Sequence, residues 1–379
     1  MNDNNKIYIH KLSDIDTIPT SNKYETLNRN EVKLLTYNFF LRPPPIKTNE
    51  NDYKSERLND FISTHLKEYD IICFQEMFDT FHNRKKLMIQ QAFNSGYFYS
   101  LSSPTPSFFS RYLIDGGLLI LSRFPIVEHN AISFDYGVMS DAMSMKGALY
   151  AKIKIGNNYI CLFTTHLQAS YFDSGNFFWN FCMKTREIQF EMLTNFIYDT
   201  LKAIPMKERE LCKVIVCGDF NVDYYGNEEM LKLYKLPNDS EFNEYEVLMS
   251  KLQELGNVKD LLLNKYNQKP PFTFGVNDGE YDKVLTGKED FNSKQTLDYI
   301  FEIEPTFESE FHCLNESDSN INERFFNNNN NNNNNNNVSN LLNIDYNSVN
   351  VQPFTISDRP YQQLSDHFGV SVDINYGSY

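Results

Sequence analysis

A series of polar residues in this chain closes short apolar runs, and their side chains are of the kinds that handle metal ions and phosphate. In order they are Asn38 in Leu34-Leu35-Thr36-Tyr37-Asn38, Glu76 in Ile71-Ile72-Cys73-Phe74-Gln75-Glu76, and His166 in Phe163-Thr164-Thr165-His166. Asp219 and Asn221 follow in Gly218-Asp219-Phe220-Asn221, then Asp298 in Leu297-Asp298-Tyr299-Ile300, and Asp366 with His367 in Leu364-Ser365-Asp366-His367. Carboxylates and amides are hard oxygen ligands suited to Mg²⁺. An imidazole, with an ordinary pKa of about 6.5, can take a proton from water at neutral pH. A phosphodiester anion repels hydroxide, so a site that cleaves it must neutralise phosphoryl oxygens and place water in line with the leaving oxygen. These residue types together can do both. Any one of them alone is more often a turn or capping residue; the signal is their succession after one apolar run after another.

The runs themselves are short and β-branched and alternate with helical periodicity, which is the pattern of a layered α/β protein. Strands are expected at Val32 to Phe39, Asp70 to Gln75, Gly117 to Leu121, Leu149 to Ile155, Tyr159 to Thr165, Lys213 to Cys217, Thr296 to Ile303 and Phe368 to Ile374. Helices are expected at Lys54 to Lys67, with Leu58, Phe61, Ile62 and Leu66 on one face, and at Lys184 to Ala203, with Ile188, Met192, Phe196 and Ile197. Polar residues at strand ends leave the packed layer and converge on a cleft.

Composition narrows the partners. With 379 residues, 41% of them hydrophobic and 15% aromatic, the chain can bury a large core. Its formal charge of -15 opposes DNA, RNA and anionic lipid surfaces, so a neutral or zwitterionic head group suits it better. The first thirty residues are polar, without the apolar core of a secretory signal, and read as a flexible leader of a cytoplasmic protein. No apolar run approaches the ~20 residues needed to cross a bilayer, so membrane contact is expected to be peripheral. The six cysteines lack zinc spacing and read as reduced and structural. Asn327 to Asn337 is an uninterrupted asparagine run, expected to be a disordered insertion spanning about residues 315–345 of a single domain, 31–379.

From about Glu31 to Ile374 the sequence resembles the endonuclease/exonuclease/phosphatase (DNase I-like) superfamily. The resemblance rests on Gln75-Glu76, Gly218-Asp219-Phe220-Asn221 and Ser365-Asp366-His367. It implies an α/β fold, a four-layer sandwich of two mixed β-sheets flanked by helices. It also implies roles: Glu76 as the principal Mg²⁺ ligand with Asn38 beside it, and His367 as the general base, held in place by Asp298. Asp219 and Asn221 would orient the nucleophile or contact a phosphoryl oxygen. His166 would stabilise charge in the transition state, and Asp366 would assist the metal or the neighbouring histidine.

Finer features are similar to the neutral sphingomyelinase branch, which cleaves sphingomyelin to ceramide and phosphocholine. Asp141 lies five residues before Lys146-Gly147, a pair that in that branch forms a switch near the active site; Leu167-Gln168-Ala169 and Arg186-x-x-Gln189 also resemble it. The alternatives are a nuclease or deadenylase of the same fold, an inositol polyphosphate phosphatase, or an inactive lipid-binding module. The acidic composition disfavours the first. The single Trp, Trp179, lies outside the Pro-Ala-Trp-x-Asp-Arg motif expected of the second, and chemically competent residues at every candidate position disfavour the third. Tyr171 to Phe181 holds six aromatics in eleven residues around a turn-forming Asp-Ser-Gly-Asn centre. It is expected to form a loop tip or hairpin that contacts a membrane beside the cleft.

Overall fold

The computed structural model describes residues 30–48, 51–107, 109–171, 177–226, 243–275, 285, 293–307 and 342–377. In chain order its elements are β1 (Glu31–Leu41), α1 (Lys54–Thr64), β2 (Ile71–Met77), α2 (Arg84–Asn94), β3 (Tyr99–Ser102), β4 (Leu119–Ser122), β5 (Ile126–Ser133), β6 (Gly147–Ile155) and β7 (Asn158–His166). There follow α3 (Phe177–Ala203), α4 (Met206–Arg209), β8 (Cys212–Asp219), α5 (Glu244–Gln253), β9 (Gly256–Asp260), α6 (Leu261–Lys265), β10 (Phe274–Gly275), β11 (Lys294–Gln295), β12 (Asp298–Pro305), β13 (Asn343–Gln352) and β14 (Gly369–Asn375).

Two six-stranded sheets result, ordered β13-β14-β1-β2-β4-β3 and β5-β6-β7-β8-β12-β9, with β10 and β11 forming a separate two-stranded ribbon. Both sheets are mixed: β1 runs parallel to β2 and β7 parallel to β8, and the other pairs are antiparallel. Side chains along a strand alternate between faces, and here both faces are apolar. Val32 and Leu34 of β1, Ile71 and Cys73 of β2, Ile160 and Leu162 of β7 and Ile215 and Cys217 of β8 fill the space between the sheets. The opposite parity, Leu35, Tyr37 and Phe39, packs with Leu58 and Phe61 of α1 and Met88 of α2. On the far side Phe163, Val216 and Phe301 pack with Phe190 and Leu193 of α3 and Leu248 of α5. Helix, sheet, sheet, helix is the expected four-layer sandwich.

Each strand expected from the sequence is present with shifted ends. β3, β5, β9 and β13 were not expected, because they are short or carry polar residues at alternate positions, as in Asn343–Gln352. β13 also makes Asn343 to Asp345 strand, inside the range expected for the asparagine-rich insertion; the asparagine run itself and the N-terminal leader up to residue 29 lie outside the described residues. α3 begins at Phe177, seven residues before the expected start. The second aromatic cluster of Tyr171 to Phe181 is therefore the opening of a helix and not the arm of a hairpin; residues 172–176 lie outside the described residues. Ile188 is 40% exposed and does not join the apolar face of that helix. Cys73, Cys161, Cys182, Cys212 and Cys217 are free thiols, as expected. Among the described residues no helix is long and apolar enough to cross a membrane.

Candidate active site

The inter-sheet face ends in polar side chains. Asn38 continues the parity of Val32 and Leu34, His166 that of Ile160 and Leu162, Asp219 that of Ile215 and Cys217, and Asp298 that of Ile300. Between the apolar lining and these groups lies a buried polar layer in which Gln75 Nε2 donates to Thr36 Oγ1 and Thr164 Oγ1, both at 3.1 Å, and all four groups are buried. Glu76 differs. Alternation would send it to the helix face with Ile72 and Phe74, but it has φ 54°, a left-handed backbone that breaks the alternation. Bulky L-residues adopt that conformation only when their surroundings impose it. The turn after Asn38 is similar, with Phe40 at φ 55° and its N–H donating to Asn38 Oδ1 at 3.1 Å.

Hydrogen bonds join the two sheets at this end. Asn38 Nδ2 donates to Asp219 Oδ2 at 2.9 Å and lies 3.4 Å from His367 Nε2. His367 Nδ1 is 2.9 Å from Asp298 Oδ2. The Asp298 N–H donates in turn to Thr273 Oγ1, and the ring of Phe274 packs edge-on against His367 at 4.9 Å between centroids. Lys146, buried just before β6, donates to Asp141 Oδ2 at 2.8 Å and to the Leu167 carbonyl at 2.8 Å, with His166 Nε2 at 3.1 Å. Asn221 Nδ2 donates to the same carbonyl, and its N–H donates to Asp219 Oδ1. Gly218 makes the close strand approach possible: with φ 142°, a Cβ there would sit 2.1 Å from the Thr165 carbonyl oxygen.

The segment after His166 is braced from α3. Arg186 Nη1 donates to the Gln168 carbonyl, Gln189 Oε1 accepts from the Gln168 N–H, and the Arg186 guanidinium grips Glu244. Asp366 is buried beside His367 and lines a cavity of about 140 Å³ with Phe40, Arg42 and Phe274. The expected residues are thus brought together at one end of the sandwich, with Asp141 touching the group through Lys146. Ser365, Thr273 and Phe274 are further members of the site. Ser365 stands in the Ser-Asp-His motif, which was its signal; Phe274 in the two-residue strand β10, and Thr273 just before it, lie in a stretch too short to carry one. A groove of about 1210 Å³ runs along β5 and holds none of these groups. Donor chemistry, not size, locates the site.

Electrostatics follow from burial. Burial pushes the Glu76 carboxyl up, although the charges of Arg42, Lys146 and His367 oppose it. Asp219 is raised to about 6 and Asp366 to about 7, in both cases first by burial and against the pull of His367. Burial disfavours the charged imidazole of His367, yet the carboxylates of Asp298, Asp219 and Asp366 outweigh it and lift that group to about 10. His166 moves the other way: burial, then Lys146 and His367, hold it well below the usual histidine range. A neutral His166 accepts from Lys146 at Nε2 and carries its proton on Nδ1, which is buried with no hydrogen-bond partner.

Such a gathering of buried acids fits a hard cation. Glu76 Oε2 is buried and has no hydrogen-bond partner, an arrangement that costs free energy unless a proton or a cation meets it. Asp219, Asp298 and His367 also bring ligand atoms within 4.8 Å of one another. In that second group, however, His367 Nδ1 is already bonded to Asp298, and Asp219 Oδ2 accepts from Asn38. Asp298 Oδ1 is likewise buried with no partner, so within this cluster Glu76 and Asp298 are the acids with an oxygen left over, and Glu76 is the one whose carboxylate is not already tied to His367.

Residues 35–301 match the Endonuclease/Exonuclease/phosphatase family. The chain belongs to that family. It is 28% identical to a sphingomyelinase of Dictyostelium discoideum, over 90% of this chain and 98% of that one. Sphingomyelinase C from Streptomyces griseocarneus has the same fold, with a TM-score of 0.55 at 18% identity, covering 90% of this chain and 99% of that one. A mutant of the beta toxin from Staphylococcus aureus with bound magnesium ions matches with a TM-score of 0.54 at 18% identity, covering 92% of this chain and 100% of that one. At these identities the two solved structures establish the fold, two mixed sheets flanked by helices.

Proposed function

We propose that this protein is a Mg²⁺-dependent phosphodiesterase that hydrolyses sphingomyelin to ceramide and phosphocholine. The observation that carries the chemistry is His367, fixed by Asp298 at 2.9 Å in a buried cluster with Asn38 and Asp219. End-to-end similarity to the Dictyostelium sphingomyelinase supports the substrate. Glu76, with Asn38 beside it, would hold the ion. Bound there, Mg²⁺ supplies positive charge for the phosphoryl oxygens and lowers the hold of His367 on its proton.

The protein's own residues divide the remaining work. Asp298 accepts from Nδ1 and keeps Nε2 of His367 facing the cleft, where it takes a proton from the attacking water. Asn38 and Asp219 fix the position of that ring against the opposite sheet. Burial and then Lys146 keep His166 neutral; His166 would present its Nδ1–H, and Lys146, whose three donors are spent, its positive charge, to the charge that develops on the phosphoryl group. Asp141 holds Lys146 in turn. Asn221 ties the Asp219 turn to the Leu167 carbonyl, so that the chain after β7 and the chain after β8 move as one.

The same proposal places the protein at a membrane surface through Tyr171 to Phe181, of which Phe181 is 47% exposed. The test is turnover of sphingomyelin, phosphatidylcholine, a phosphoinositide and single-stranded DNA in vesicles or solution, with Mg²⁺ or with EDTA and products identified by mass. Phosphocholine and ceramide are expected, only with Mg²⁺, and the protein is expected to float with sphingomyelin vesicles. Full activity in EDTA removes the ion from the mechanism, preference for DNA replaces the substrate, and failure to float removes the membrane contact.

A further inference from the structure

Arg57 of α1 is fully buried and forms no ion pair among the described residues. A charge in that position is costly unless every donor is used. Here the donors go to backbone carbonyls: Nε to Asp52 at 2.8 Å, Nη1 to Phe39 at 3.2 Å and to Leu364 at 2.6 Å, and Nη2 to Phe40 at 2.8 Å. Those carbonyls belong to three separate segments, and two of the segments carry the chemistry. Phe39 and Phe40 follow Asn38, and Leu364 precedes Ser365-Asp366-His367.

Each link from the guanidinium to the reacting groups is short. Phe40 is held left-handed at φ 55°, and only in that turn does its N–H meet Asn38 Oδ1. With its oxygen so fixed, the Asn38 amide turns its Nδ2 to Asp219 and His367. From the other segment, Ser365 Oγ donates to the Asn38 carbonyl at 2.7 Å. We propose that Arg57 is a positioning residue for catalysis: it clamps the Asn38–Phe40 turn against the Leu364–His367 segment and thereby sets where the Asn38 amide meets His367. The planar fork of arginine suits this task, because it directs donors to several carbonyls at once. Lysine carries the same charge on one point and cannot span the three segments. The inference rests on the proposed roles of Asn38 and His367.

The experiment measures kcat and KM for sphingomyelin at saturating Mg²⁺ in Arg57→Lys, Asn38→Ala and the double variant, scaled to the folded fraction from circular dichroism. Arg57→Lys is expected to lower kcat by about 30- to 100-fold with little change in KM, the scale of a small misplacement of a reacting group. Its effect should largely vanish in the Asn38→Ala background, since the amide it positions is gone. A multiplicative double variant, or wild-type kcat per folded molecule in Arg57→Lys, overturns the proposal. If Arg57→Lys does not fold, Ser365→Ala tests the clamp from its other side, with about tenfold lower kcat that disappears in Asn38→Ala; multiplicative losses there overturn it equally. Wild-type kcat in Asn38→Ala alone refutes the reading of the site and the clamp with it, whereas a slow Asn38→Ala with a multiplicative Arg57→Lys refutes the clamp only.

Discussion

β7 and β8 keep their register to their last residues, with His166 opposite Asp219 and a glycine, Gly218, at the one positive φ, whereas β1 and β2 lose register between Asn38 and Leu41 and each runs into a left-handed residue with a bulky side chain, Phe40 or Glu76. Both pairs are parallel, both sit at the centre of a sheet, and both deliver two polar groups to the same cleft. They differ in what holds those groups. On the regular side, strand alternation alone aims His166 and Asp219 between the sheets, and Lys146 and Asn221 finish the placement. On the irregular side the backbone leaves its pleat, and side chains from elsewhere, Arg57 and Ser365, must hold it. Regular strands fix a side chain's direction cheaply, but only along the pleat normal. Where the chain has to leave the pleat, at Phe40 and at Glu76, it accepts a strained conformation, and at the Asn38–Phe40 turn Arg57 and Ser365 brace it.

Substitutions can break or sharpen this contrast. The largest effect is expected at His367, which bonds to Asp298 of one sheet and reaches Asn38 of the other. His367→Ala should lower kcat by about 10²- to 10⁴-fold with the fold retained by circular dichroism. Near-normal turnover would mean that the two sides do not meet in one reaction. A smaller and more discriminating effect separates Glu76→Gln from Asp219→Asn. The first is expected to weaken Mg²⁺ affinity by about 10- to 100-fold and to recover as Mg²⁺ is raised. The second should lower kcat by about 10²-fold at every Mg²⁺ concentration. Rescue of Asp219→Asn by Mg²⁺ would move the ion to the Asp219, Asp298 and His367 group and erase the division of labour. The smallest effect concerns stability. Gly218→Ala forces a Cβ to within 2.1 Å of the Thr165 carbonyl oxygen and should cost about 1–3 kcal/mol, read as a lower denaturation midpoint. An unchanged midpoint would show that the regular pair tolerates spreading.

The same contrast explains what could be read from the sequence. Strands that are apolar on both faces, such as β1, β7 and β8, announce themselves as unbroken runs, and the groups at their ends follow directly. β5 and β13 mix exposed polar residues into half-buried strands and offer no run to see. The meeting of Lys146 with His166 depends on the pairing of β6 with β7, which places Ala148 opposite Thr165; nothing local signals it. Arg57 sits among charged residues at the start of α1 and reads as part of a solvated helix face. Its burial follows from the irregular chain above it, which local periodicity does not encode. The aromatic cluster at Phe177 misleads for a related reason: a turn-forming stretch precedes it, yet the helix of Lys184 to Ala203 extends back through it.

Asn38, His166, Asp219 and Asp298 stand at the cleft end of rows that also hold Val32, Leu34 and Thr36, Ile160, Leu162 and Thr164, Ile215 and Cys217, and Ile300. The cleft is therefore floored by one thin polar layer, Gln75 bridging Thr36 and Thr164 across the two sheets, which rests directly on the hydrophobic core. Active sites built on loops can detune long before their scaffold melts. Here a shift between the sheets moves His166, Asp219 and Asp298 relative to Asn38 in the same motion, so catalytic geometry and tertiary packing are one property of the molecule, and heat should remove them together.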